Sequence, residues 1–139
     1  MNTLKSTLKL TAILSLFWLA GCTFTQSFQP DFNSKKNAVL DTIKTTYGFE
    51  NITFLAKKTS GSSGKHSSLT VKFINGKNIP ADTGKMTELE QQLGKKVKNI
   101  MKNPKEFESY VILFDKVVVD GSVTNETYTG HEFTLDALK

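Results

Sequence analysis

Tyr110-Val111-Ile112-Leu113-Phe114 is the segment that most constrains this chain. Side chains on a strand alternate between faces, so five consecutive apolar residues place apolar surface on both sides. Such a strand either lies inside a sheet with both faces covered or offers an apolar face to a partner. We read it as central. The obvious cover is a helix over the preceding segment, where Met86, Leu89, Leu93, Val97, Ile100 and Met101 recur at spacings of three and four. Asn103-Pro104 ends that helix. Its start stays open between a Thr87/Glu90 capping box and a cap at Asp82 or Thr83. Lys95, Lys96, Lys98 and Lys102 fall in its C-terminal half, where cations complement the helix dipole.

The remaining elements follow from shorter patterns. Ser34 as N-cap, Val39, Ile43 and Tyr47 at intervals of four, and Gly48 as the stop predict a helix over 34–47. Ile52, Phe54 and Ala56 alternate with Thr53, Leu55 and Lys57, and Leu69, Val71 and Phe73 alternate with Thr70 and Lys72. These predict two strands of a hairpin joined by a Ser/Gly-rich connection over 59–68. Asn75-Gly76 marks a tight turn, and Asp120-Gly121 predicts a type I′ turn into a last strand within 122–135. There Tyr128, Phe133 and Leu135 are expected to face inward and Gly130 to form a bulge. The expected fold is α+β in the order α-β-β-α-β-β. Its sheet is four-stranded and mainly antiparallel, with two helices on one face.

All eighteen basic residues are lysine. Arginine is the side chain suited to bidentate phosphate recognition and the commonest specific reader of guanine. A lysine-only chain is therefore not expected to bind nucleic acid, despite its net charge of +5.

The first thirty residues carry an address. Lys5 and Lys9 precede an apolar run from Leu10 to Leu19, about half of what crossing a bilayer requires. Ala20 and Gly21 are the small residues expected before a cleavage site, and the chain turns polar directly after Cys22. Leu19-Ala20-Gly21-Cys22 resembles the lipobox of bacterial lipoproteins. The resemblance is confined to the signal region and implies that Cys22 carries a diacylglycerol thioether and, after cleavage, an acylated amine. More than one acyl chain makes such an anchor effectively permanent. In the sorting rule that accompanies the resemblance, Asp after the cysteine retains the protein in the inner membrane. Thr23 stands there, so the outer membrane is implied. The expected organisation is a signal peptide over 1–21, a lipidated tether over 22–33 and one domain over 34–139. Loss of Lys5 and Lys9 lowers the net charge to +3.

Candidate chemistry rests on two histidines. His66 sits among serines and glycines, but a flexible loop does not hold nucleophile, base and orienter within hydrogen-bond reach, so a surface loop is the expectation. His131 and Glu132 are neighbours on a strand and point to opposite faces. Two distant histidines and an acylated cysteine fall short of the three or four ligands of a zinc site, so no metal or cofactor is expected.

The function expected from the sequence is a membrane-anchored envelope lipoprotein of non-catalytic type, binding a protein or an envelope polymer. Two alternatives stay open. One is a carrier of a small ligand or lipid, with an apolar cavity under Met86, Leu93 and Val97. The other is a cell-envelope hydrolase using His66 or His131.

Overall fold

A computed structural model describes residues 23–62 and 64–139; the signal region and Cys22 lie outside the described residues. The elements run β1 (Phe24–Phe28), α1 (Lys36–Tyr47), β2 (Asn51–Gly61), β3 (Gly64–Ile74), α2 (Thr83–Ile100), a 3-10 turn at Pro104–Glu106, β4 (Ser109–Asp120), β5 (Val123–Thr134) and a 3-10 turn at Asp136–Leu138. The strands form one five-stranded mixed sheet in the order β1-β2-β3-β4-β5. The β3–β4 pair is parallel and the other pairs are antiparallel. The fold is α+β with two helices, but the expected four-stranded sheet is corrected to five.

The additional strand comes from the segment read as a tether. β1 pairs along the outer half of β2, from Phe24 opposite Ser60 to Phe28 opposite Ala56. At a sheet edge it gains backbone hydrogen bonds while burying little, so its polar sequence carries no burial signal. Only Phe28 turns toward the core, its ring 6.2 Å from that of Phe107. The next residues are fastened to the end of α2. The Asn33 amide donates to the Ile100 carbonyl at 2.9 Å, and the Lys102 amide donates to the Asp31 carbonyl at 3.0 Å.

α2 begins at Asp82, whose carboxylate accepts the Lys85 amide at 2.9 Å. Its 18 residues span about 27 Å, enough to carry the chain back along the sheet and start β4 parallel to β3. The register sets Ala56, Leu69 and Tyr110 in one row, Phe54, Val71 and Ile112 in the next, and Ile52, Phe73 and Phe114 in a third. Leu40 and Ile43 of α1 and Leu89, Leu93, Val97 and Ile100 of α2 join these rows in a single core. Both helices thus cover one face. Phe49 closes that core at one end, 5.1 Å from Phe73 and 5.9 Å from Phe114 between ring centroids.

β4 is an internal strand, flanked by β3 and the edge strand β5, and the expectation of a strand covered on both faces is corrected, since only one of its faces is covered. Tyr110, Ile112 and Phe114 are buried, whereas Val111 and Leu113 are only partly buried on the other face. Among the described residues no helix lies on that second face.

Three local expectations are corrected. The connection over 59–68 is mostly strand, because β2 and β3 stay paired out to Gly61 opposite Gly64. His66 therefore stands on β3, opposite Thr59, rather than in a loop. The β4–β5 turn is centred on Gly121-Ser122, with positive φ at Gly121 and not at Ser122, the pattern of a II′ rather than a I′ turn. Gly130 forms no bulge, since the β4–β5 register is unbroken; without one, Tyr128 and Phe133 cannot share a face, and Tyr128 points outward, 62% exposed.

The two hairpins overrun the sheet at opposite ends. Past Ile74, the last residue of β3, β4 and β5 continue alone as a ribbon over 116–127 with Val118, Val119 and Val123 exposed. Before Ser68, where β3 first meets β4, the strands β1, β2 and β3 project as a three-stranded tongue.

Candidate functional site

β5 carries Thr127, Thr129, His131 and Phe133 on the face turned toward the helices, because alternate residues share a face. Glu90 lies on α2 above this strand. It is fully buried, and its Oε2 lies 2.5 Å from Nδ1 of His131, whose side chain is half-exposed. The other oxygen of Glu90 is buried with no hydrogen-bond partner. A buried carboxylate fixing one ring nitrogen leaves the other nitrogen of a half-exposed histidine available, which is the orientation a general base requires. Among the described residues no hydroxyl or thiol hydrogen-bonds His131, so the pair stands without a nucleophile of its own.

Further along the same face, Phe73, Phe114, Ile79, Thr127 and Thr129 line an open, mostly apolar cleft of about 520 Å³. Met86 reaches its border, with Sδ 3.8 Å from the Thr129 hydroxyl. The cleft lies beside the place proposed for a carrier cavity and not under it, since Leu93 and Val97 are fully buried in packed core.

His66 also has a carboxylate partner. Its Nδ1 lies 3.1 Å from Oε2 of Glu108, but both side chains are more than half exposed. The neighbouring Ser67 hydroxyl donates to the Glu106 carbonyl at 2.6 Å and is directed away from any role as nucleophile for His66. His131 and Glu132 take opposite faces of β5, as expected from their adjacency, so the two histidines belong to separate places.

On the uncovered face, the Lys72 ammonium lies 3.2 Å from Oδ2 of Asp115 and 3.7 Å from Oε2 of Glu126. The hydrogen bond from Lys72 to Asp115 holds the ammonium above its usual range, against the lowering effect of partial burial. Asp115 is itself buried, and its Oδ1 has no partner.

Sequence reasoning missed Glu90 and Asp115 as partners. Glu90 had a signal of its own. It stands four residues after Met86 and three before Leu93, so a carboxylate interrupts the apolar stripe of α2. Asp115 likewise follows Val111 and Leu113 at strand spacing. Cys22, the expected lipidation site, lies outside the described residues. Comparison with protein-family models, with curated proteins and with solved structures finds no match.

Proposed function

We propose that this chain is a lipid-anchored bacterial envelope protein, held in the outer membrane through Cys22, that binds a protein partner without catalysing a reaction. The observation that carries the binding half of this reading is β5. It is a twelve-residue edge strand with every residue except Phe133 exposed, continuing into the apolar ribbon of Val118, Val119 and Val123. An edge of that length offers a row of unpaired backbone donors and acceptors. It carries neither proline nor lysine, two of the common devices by which edges are blunted. A partner strand added there would take affinity from the backbone ladder and selectivity from Tyr128, Val119 and Val123.

The test is site-specific photocrosslinking in native membranes from Tyr128 and Val119, with Thr45 on α1 as the control position. The expected result is one dominant protein adduct at the first two positions, absent from the third and reduced when Cys22→Ala removes the anchor. Adducts of glycan rather than protein would move the reading to an envelope polymer. Equal labelling from all three positions would sink it.

The Glu90–His131 pair favours one second reading, a hydrolase of envelope substrates with His131 as general base. It requires a nucleophile from water or substrate. Hydrolysis of a cell-wall or lipid ester panel that is abolished by His131→Ala would establish it.

A further inference from the structure

The tongue formed by β1, β2 and β3 ends where the anchor begins. Phe24 is opposite Ser60, and Ser60 is opposite Lys65, so the first residue of β1 stands beside the closing end of the β2–β3 hairpin. Thr23 is seated against the same end, its Oγ1 3.1 Å from the point a Cβ on Gly61 would occupy. One peptide bond joins Thr23 to Cys22, and consecutive Cα atoms are about 3.8 Å apart. No slack intervenes. The segment expected to be a tether is spent on β1 and on the bonds that tie Asp31 and Asn33 to the end of α2.

The chemistry of the tongue suits a bilayer surface. Phe24 is 67% exposed at its tip, although no core residue needs it there. Lys65 is exposed on it, and Lys57 is exposed at its base, opposite Ser68. Lys58 is already committed, 2.5 Å from Glu106 and 4.8 Å above the Phe28 ring. Neither residues 23–30 nor residues 51–81 contain a single Asp or Glu, so all the charge the tongue carries is positive. The nearest carboxylates, Glu106 and Glu108, sit behind the tip and face Lys58 and His66.

We infer that the tongue is a membrane foot. With Cys22 acylated, the Phe24 ring and the strand ends at Gly61 and Gly64 enter the headgroup layer, while Lys65 meets anionic lipid phosphates. The sheet then stands on the bilayer and the β4–β5 ribbon points away from it. This inference rests on the lipoprotein reading, because the acyl chains supply the anchoring and the tongue supplies only orientation.

The experiment uses the full chain, processed in cells and reconstituted into vesicles of phosphatidylethanolamine and phosphatidylglycerol. Ser62→Cys and, separately, Ser122→Cys carry an environment-sensitive fluorophore, and the acyl mass on Cys22 is read from the same samples. The expected result is that the label at position 62 is quenched several-fold more by brominated lipid than the label at 122, and several-fold less by an aqueous quencher. Phe24→Ser combined with Lys65→Glu should remove that difference and leave membrane retention unchanged. Equal quenching at 62 and 122 on an acylated protein would overturn the foot alone. Absence of acyl mass on Cys22 would overturn the anchor and the foot together. A foot that persists in vesicles of phosphatidylcholine alone would reassign the contact from Lys65 to Phe24, overturning the electrostatic part.

Discussion

Nδ1 of His131 and Oε2 of Glu90 are 2.5 Å apart, and they join the outermost strand to the helix that covers it. Apart from this pair, side-chain hydrogen bonds between α2 and the last strand reduce to the weak contact of Thr129 with Met86. His131→Ala strands a fully buried carboxylate and is expected to cost about 1–3 kcal/mol in urea denaturation. Replacing both partners, as Glu90→Met with His131→Thr, is expected to cost less than His131→Ala alone. A double variant less stable than that single one would show that the carboxylate is not the liability.

Lys72 is the only cation within ion-pair distance of Asp115 among the described residues. Lys72→Met leaves that buried carboxylate unpaired and is expected to destabilise the domain by about 1–3 kcal/mol. The folded-state value of Lys72 is raised above its ordinary 10.5, so the lysine contributes fully below 10.5 and loses that contribution as pH rises through the folded value. The stability gap between parent and variant should therefore be constant at neutral pH and, on the alkaline side, narrow in strong alkali. A gap that closes nearer neutrality would refute the pairing.

Burial pushes the Tyr110 phenol up to about 12. Its hydroxyl donates to the Pro104 carbonyl at 2.9 Å, clamping the 3-10 turn to β4. The folded value lies above the unfolded one, near 10, so its contribution is intact below 10 and disappears as pH climbs toward 12. Ultraviolet titration of the three tyrosines should show one that ionises last or only on unfolding. Tyr110→Phe should abolish that late step and cost about 1 kcal/mol.

Gly130 is set by a close approach. A Cβ there would lie 2.0 Å from the Ile112 carbonyl oxygen and 2.8 Å from Cδ2 of Leu113. Gly130→Ala must push β5 off β4 and is expected to cost about 1–3 kcal/mol or more. Hydrogen exchange should locate the loss in β5 amides while β2 and β3 keep their protection. Uniform loss across the sheet would contradict a local clash.

What was legible in the sequence was what burial imprints. The stripe of α2, the alternation in the inner halves of β2 and β3, and the apolar run of β4 all record contact with the core. The strand β1 and the outer halves of β2 and β3 record nothing, because Thr, Ser, Gly and Lys are held there by backbone ladders in solvent. The parallel β3–β4 junction was equally hidden, since it depends on where a crossover returns the chain and on no residue in particular. For the site, His131 was visible and Glu90 was not. The helix cap that Glu90 could have formed with Thr87 competed with its place in the stripe, and the stripe prevailed.

The parallel junction also sets the entropy cost of assembling the fold. Each hairpin pairs neighbours along the chain, and such hairpins form within about 1–10 μs. Val71 must find Ile112 across the whole of α2, and closing that long loop costs entropy before any contact repays it. Until that pairing forms, β3 and β4 each present an unpaired backbone edge. The seam between them joins the residues furthest apart along the chain of any pair in the sheet, so it carries the largest loop-closure cost.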